Sequence, residues 1–302
     1  MRTHAIPGAQ FVDPKVLARI KDLELLARSV VDGFINGLHR APYFGASIDF
    51  AEHRGYVPGD DIRLLDWRLY ARTDKYFVKQ YEADTNANFS VLLDISRSMG
   101  FASQGISKLE YGSYLAACLA YLSHRQRDRV GIVTFDEDVV TFVPSSAKHF
   151  NVLLHTLDRA RAERPGRLLP TLATMAEHFK RRSIVALISD LYENPAALLE
   201  TLQPYRYLGN DLVVFHVLDP AEITFPYKDA SRFQDLESRE VLPVVPDAFA
   251  DQYRKAMQNH IDTLSAKFAE ARIDYVQLDT SKPLDDALFR YLGNRERLMR
   301  VR

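Results

Sequence analysis

The chain alternates between short apolar runs and longer amphipathic stretches. The apolar runs lie within 89–93, 129–135, 182–190 and 211–218 and are typical of strands buried on both faces of a parallel sheet. Helical spacing of apolar positions covers 108–126, 147–161, 171–181 and 195–207. Alternating strands and helices imply right-handed crossovers. We therefore predict an α/β fold whose Rossmann-type, mostly parallel sheet carries helices on both faces.

Two segments depart from this alternation. The run at 139–143 follows the strand at 129–135 after only Asp136-Glu137-Asp138, which predicts an antiparallel hairpin and a mixed sheet. Residues 221–246 contain strand-like pieces at 223–225 and 241–245 around a polar turn, so we expect an inserted hairpin there. A long helix from Pro246, a strand at 273–278 and a helix at 284–292 complete the prediction.

The first 85 residues have a different character. Apolar positions at helical spacing over 14–39 predict a helix packed on the body of the protein, with Asp13 as its cap and Pro14 at its first position. Residues 42–81 are aromatic and rich in Pro, Gly and Asp, which indicates short strands such as 48–50 and 76–78. We therefore expect an N-terminal extension at 1–85 and a main domain at 86–302.

Oxygen-bearing side chains follow the first buried strand. Asp94, Ser96 and Ser98 alternate, so an extended loop would point one carboxylate and two hydroxyls the same way. Such oxygens suit Mg²⁺, Mn²⁺ or Ca²⁺. The alternative is an ordinary turn that leads into a helix N-cap.

The strand at 182–190 also ends in polar residues, Ser189 and Asp190, and Thr171 opens the preceding helix. In an open α/β sheet, ligands bind at the carboxyl ends of the strands. Asp94 and Asp190 would therefore converge if their strands are neighbours. Two carboxylates about 4 Å apart repel by roughly 4 kcal/mol at an effective dielectric near 20, and a divalent cation would remove that cost.

These residues resemble the metal-ion-dependent adhesion site (MIDAS) of von Willebrand factor A-type domains. The preceding segment, R-G-Y-V-P-G-D-D-I-R-L-L-D-W-R-L-Y-A-R at 54–72, resembles the signature of the bacterial family called domain of unknown function 58. The resemblance covers roughly 45–292 and implies a von Willebrand factor A-like fold. The family usually has Gly-Gly-Thr where this chain has Leu169-Pro170-Thr171. The implied metal ligands are Asp94, Ser96, Ser98, Thr171 and Asp190.

Net charge, cysteine content and the length of the apolar runs exclude some classes of function. The 302 residues carry a net charge of −1, so the chain lacks the basic field of a nucleic-acid-binding protein. Cys118 is the only cysteine and is expected to be a buried apolar side chain. No apolar run reaches the ~18 residues that a membrane span requires. We therefore expect a cytoplasmic protein with neither a membrane span nor a nucleic-acid partner.

The resemblance implies a binding module and not an enzyme. Members of this family resemble co-workers of MoxR-type AAA+ ATPases in chaperone-like complexes. We therefore expect Mg²⁺ (or Mn²⁺ or Ca²⁺) at the site, a MoxR-type ATPase as partner and an unknown client protein. The alternative is a divalent-metal-dependent phosphatase or hydrolase that uses Asp94 as nucleophile.

Charged residues of alternating sign surround Trp67, the only tryptophan. One interpretation is a salt-linked clasp that holds this segment to the main sheet. The other is a partner-binding surface, because Trp and Arg often dominate interface energies. The candidate partner-binding residues are Arg54, Asp60, Asp61, Arg63, Asp66, Trp67 and Arg72.

Overall fold

A six-stranded sheet forms the centre of the protein in a computed structural model of the chain. The structure describes residues 22–40, 53–55, 67–79, 87–179, 182–229, 231–284, 287–288 and 291. Strands are β1 (His53–Gly55), β2 (Phe77–Lys79), β3 (Asn88–Asp94), β4 (Arg129–Phe135), β5 (Val139–Ser146), β6 (Ser183–Ser189), β7 (Asp211–Leu218), β8 (Ser231–Gln234), β9 (Val241–Val244) and β10 (Asp274–Asp279). Helices are α1 (Leu23–Arg40), α2 (Trp67–Thr73), α3 (Lys108–Arg125), α4 (Phe150–Arg159), α5 (Leu168–Met175), α6 (Pro195–Tyr207), α7 (Pro220–Thr224) and α8 (Pro246–Glu270).

The sheet order is β10-β7-β6-β3-β4-β5. All neighbours are parallel except β4 and β5, which form an antiparallel pair at one edge. Counted from β3, this is the 3-2-1-4-5-6 order of a doubly wound fold. The predicted fold class, a mostly parallel α/β sheet with an antiparallel hairpin, is confirmed.

Helices cover both faces of this sheet. Val91 and Leu93 of β3 lie in one apolar cluster, which contains residues of α1, α3 and α4. Leu92 lies in a second cluster, which contains residues of α5, α6 and α8. Successive side chains of β3 point to opposite faces of the sheet, so this strand contributes to both apolar cores.

Helix α1 packs on the body of the protein, as expected. Leu26 and Val31 are fully buried in the first cluster. The Asp22 carboxylate accepts hydrogen bonds from the backbone N–H groups of Glu24 and Leu25 at 2.9 and 3.1 Å. Asp22 is therefore the cap of the described helix, whereas the predicted cap at 13–14 lies outside the described residues.

One local prediction was incomplete and another was wrong. The segment at 42–81, for which only short strands were named, also contains helix α2 beside the antiparallel pair β1–β2. The predicted strand at 76–78 overlaps β2, and the one at 48–50 lies outside the described residues. Of the expected strand at 223–225, Ile223 and Thr224 instead end helix α7 and Phe225 is its C-cap. Asp219 and Glu222 form a capping box at the start of this helix. The expected hairpin exists, but its antiparallel strands are β8 and β9. The division at residue 85 stays a prediction.

Candidate functional site

The candidate site lies where the winding of the sheet reverses direction. Strand β3 pairs with β4 on one side and with β6 on the other, and Leu93 lies opposite Ile188. Asp94 ends β3 and Asp190 directly follows β6. The two strands are thus neighbours, and both carboxylates lie at their shared carboxyl edge. Ligands of doubly wound folds bind at this position.

Asp94 is buried and only partly stabilised. One carboxylate oxygen accepts a hydrogen bond from the Ser96 N–H at 2.9 Å, and the other accepts one from the Ser189 hydroxyl at 2.6 Å. Burial, followed by the negative charge of Asp190, raises the pKa of Asp94 to about 7 against these favourable hydrogen bonds. The hydrogen bonds from Ser96 and Ser189 therefore do not fully compensate the negative charge of Asp94.

Ser96 and Ser98 lie together beside Asp94. Their hydroxyl oxygens are 3.1 Å apart. The loop that precedes α5 packs closely against them, because a Cβ on Gly166 would lie 2.6 Å from the Cβ of Ser96. Only glycine allows this approach without a shift of one of the two loops.

Thr171 lies in the first turn of α5 and is buried. Its hydroxyl group donates toward the carbonyl oxygens of Arg167 at 2.8 Å and Glu137 at 3.1 Å. The hydroxyl hydrogen is thereby engaged by the backbone, so the oxygen lone pairs are the part that could face a cation.

Lys108 is a site residue that the sequence analysis did not assign. Its ammonium group is fully buried, 2.8 Å from a carboxylate oxygen of Asp190 and 2.6 Å from one of Glu222. Burial alone would lower the pKa of Lys108, but Asp190 and Glu222 outweigh it and raise the pKa above its usual value. The sequence does contain one indication of this role. A lysine at the first position of a helix opposes the helix dipole, so an acidic partner is needed to stabilise it there.

Glu237 also reaches the site, from the turn between β8 and β9. Its carboxylate accepts hydrogen bonds from the N–H groups of Ser98 and Gly166, both at 2.7 Å. No local sequence pattern predicts this contact, because 139 residues separate Glu237 from Ser98.

The described part of the predicted partner-binding set is on the surface. The Trp67 side chain is 57% exposed, and Arg72 is exposed on the same helix, α2. Arg54 lies in β1, and its side chain is not described. Asp60, Asp61, Arg63 and Asp66 lie outside the described residues. The salt-linked clasp and the partner-binding surface therefore both stay predictions.

Acidic and hydroxyl side chains collect at this edge of the sheet. Asp190 and Glu222 share the buried ammonium group of Lys108, and Asp190 also acts electrostatically on Asp94. Glu237 lies apart from these groups, on the N–H groups of Ser98 and Gly166. In the described ranges no three His, Cys, Asp or Glu side chains group closely enough to hold a metal by themselves. A cation here would therefore rely on hydroxyl and water oxygens beside Asp94, which is compatible with Mg²⁺.

These features define a doubly wound α/β protein with buried acidic and hydroxyl side chains at its switch point. Residues 52–263 match the family described as protein of unknown function DUF58, which covers well over half of the chain. The chain therefore belongs to the DUF58 family. Uncharacterized proteins of Mycobacterium bovis and Mycobacterium tuberculosis are 26% identical over 293 residues, which cover 94% of this chain and 91% of each relative.

Solved structures with similarity to this chain include the conserved hypothetical protein BatB from Bacteroides thetaiotaomicron. BatB has 17% identity and a TM-score of 0.47, with 70% of this chain and 99% of BatB covered. The VWA domain of SpRpn10 has 12% identity and a TM-score of 0.40, with 67% of this chain and 93% of that domain covered. Among the helices of the described residues, none has the length and apolarity needed to cross a membrane.

Proposed function

We propose that the chain is a non-enzymatic, metal-dependent protein-binding module. The observation that supports this function is the buried Asp94 carboxylate, whose raised pKa of about 7 reflects burial and a second carboxylate, beside the paired hydroxyls of Ser96 and Ser98. A site of this kind offers oxygen ligands and a local excess of negative charge, which together favour a divalent cation.

Each residue has a defined task in this proposal. Asp94 supplies the ionised ligand, and Ser96, Ser98 and Thr171 supply hydroxyl oxygens. Asp190 contributes through water, because one of its oxygens is held by Lys108 at 2.8 Å. Mg²⁺, Mn²⁺ or Ca²⁺ bound there would attract and orient a carboxylate of a partner protein.

The identity of the partner rests on the family resemblance alone. We propose a MoxR-type AAA+ ATPase and an unidentified client protein, acting together in the cytoplasm as a chaperone-like complex. The sequence contains no G-x-x-x-x-G-K-[ST] phosphate-binding loop, so ATP hydrolysis would come from the other chain.

The alternative is a metal-dependent phosphatase with Asp94 as nucleophile. It would need a free lysine or arginine to orient phosphate. Lys108 is close to the site, but its ammonium is buried between Asp190 and Glu222. Because both acidic partners already hold this ammonium group, it is not free to bind phosphate, which favours the binding module. Turnover of p-nitrophenyl phosphate with Mg²⁺ that is lost in Asp94→Asn would instead establish the enzyme.

Thermal unfolding with Mg²⁺, Mn²⁺, Ca²⁺ or EDTA tests the metal site. A ligand at a hundredfold excess over its Kd stabilises the folded state by about 2.7 kcal/mol, which shifts Tm by several degrees. We expect this shift in the wild type and not in Asp94→Asn. Asp158→Asn is the control, because it removes an exposed carboxylate from α4. Equal shifts in the wild type and Asp94→Asn would contradict the proposal.

A further inference from the structure

The turn between β8 and β9 points one acidic side chain inward. Residues 234–236 and 238–240 are exposed, whereas Glu237 is half-buried. Asp235 shapes the turn, since its carboxylate accepts the N–H groups of Glu237 at 2.7 Å and Ser238 at 2.9 Å. The geometry of the turn thus presents the Glu237 side chain toward the candidate site.

The Glu237 carboxylate occupies a seat made of two backbone donors. One oxygen accepts the Ser98 N–H and the other accepts the Gly166 N–H, both at 2.7 Å. Hydrogen bonds of this length to an ionised carboxylate are charge-assisted and about twice as strong as neutral ones. The two donors belong to different loops, so the seat exists only where these loops meet.

Arg97 holds the turn in this position. One guanidinium nitrogen donates to the carbonyl oxygens of Leu236 and Glu237 at 3.2 and 3.3 Å. The other two donate to the carbonyl oxygen of Glu163 at 3.1 and 2.9 Å. A single side chain therefore ties the hairpin to both loops of the seat.

The seat adjoins the candidate metal donors. Ser98 supplies both an N–H group to Glu237 and a hydroxyl group 3.1 Å from that of Ser96. Gly166, the second donor, packs directly on Ser96. A carboxylate in this seat is therefore placed beside the hydroxyls that would hold a cation.

We propose that this seat binds an acidic side chain of a partner protein and that Glu237 is its internal occupant. The inference rests on the proposed binding function and names the chemistry of the partner, a glutamate or aspartate presented on a turn. Because Glu237 is tethered, its effective concentration at the seat is on the order of millimolar or higher. The hairpin must release Glu237 before a partner carboxylate can enter.

Chemical rescue tests this inference on the full chain. The probe is N-acetyl-glutamate N-methylamide, titrated while the amide NMR signals of Ser98 and Gly166 are followed. In Glu237→Ala we expect both signals to shift saturably, with half-saturation at a probe concentration at least tenfold lower than in the wild type. Glu240→Ala is the matched control, because it removes an exposed glutamate from the same turn and should behave as the wild type. The neutral glutamine analogue should give no shift.

Three results would overturn the inference. The first is the same half-saturation concentration in the wild type, Glu237→Ala and Glu240→Ala, and the second is no probe-induced shift in Glu237→Ala. The third is that the amide signals of Ser98 and Gly166 without probe are the same in Glu237→Ala as in the wild type. Glu237→Gln keeps the side-chain volume and replaces Glu237→Ala if the latter does not fold.

The same titration in EDTA, together with the Mg²⁺-dependent Tm, separates the two proposals. Probe binding in EDTA together with no Mg²⁺-dependent Tm shift supports the seat and contradicts the metal function, whereas a Mg²⁺-dependent Tm shift without probe binding does the reverse.

Discussion

At the scale of single residues, the ionised form of Asp94 is destabilised by its surroundings. Its two hydrogen bonds, from Ser96 and Ser189, only partly offset burial and the charge of Asp190, and its pKa rises to about 7. The folded protein therefore binds this proton more tightly than the unfolded chain does. Between about pH 4 and pH 7 the unfolded chain has lost the proton while the folded protein keeps it, so stability falls as pH rises.

This linkage predicts a measurable pH dependence without metal. In EDTA, Asp94 should reduce the free energy of unfolding by at most about 1.4 kcal/mol per pH unit between pH 4 and pH 7. Asp94→Asn should reduce the slope and be more stable than the wild type at pH 7. Urea unfolding at pH 5, 6 and 7 measures this, with Asp158→Asn keeping the wild-type slope. A slope that is the same in Asp94→Asn would show that Asp94 ionises normally.

Loss of the Lys108 ammonium group should reduce stability strongly. Lys108→Met keeps the apolar stem but leaves Asp190 and Glu222 buried without their cation, and breaking a buried pair in this way costs about 3–5 kcal/mol. We expect a correspondingly lower midpoint in urea unfolding. Lys255→Met, at an exposed position of α8, should change stability by less than about 0.5 kcal/mol. Equal effects would mean that the Lys108 ion pairs contribute nothing net.

At the scale of elements, the site depends on the contact between two loops. Gly166→Ala would place its Cβ 2.6 Å from the Ser96 Cβ and so push the loops apart without removing a single oxygen donor. We expect a Mg²⁺-induced Tm shift well below that of the wild type. Gly33→Ala is the control, since nothing lies within 4 Å of its added Cβ, and on helix α1 it should raise stability slightly. A full metal response in Gly166→Ala would show that the loops adjust freely.

The sequence predicted the sheet elements well because buried strands carry their own signal. The runs at 129–135 and 211–218 match β4 and β7, and the polar ends of β3 and β6 correctly placed Asp94 and Asp190 at one edge. Helix α7 was missed because the β-branched Ile223-Thr224 suggested a strand, although Asp219-Pro220 and Glu222 form a helix start.

The contacts of the site were less predictable than its elements. Glu237 lies in a polar turn with other acidic residues, and nothing local distinguishes it from Glu240. Its inward direction follows from how the hairpin meets the loops of Ser98 and Gly166, which is a long-range property of the fold. Lys108 similarly depends on α3, β6 and α7 meeting in space.

At the scale of the whole molecule, two surfaces could meet partners. One is the seat at the carboxyl edge of the sheet, where Glu237 accepts the N–H groups of Ser98 and Gly166. The other is helix α2, where the Trp67 ring packs edge-on against Tyr70 and still leaves more than half of its area to solvent. A module that joins an ATPase to a client needs two such surfaces, and exposed aromatic residues commonly dominate interface energy.

This division predicts different effects of two variants on binding to a MoxR-type ATPase. If α2 contacts the ATPase, Trp67→Ala should remove about 2 kcal/mol of binding energy, a roughly 30-fold increase in Kd, because the indole would be a buried anchor in the complex. Its Mg²⁺-dependent Tm shift should stay unchanged. Tyr207→Ala removes an aromatic ring that is 83% exposed on α6 and should leave Kd unaltered. Surface-immobilised ATPase and a concentration series of each variant provide the measurement. Weakening by Asp94→Asn and not by Trp67→Ala would instead place the ATPase at the carboxyl edge of the sheet, and the client would then bind α2.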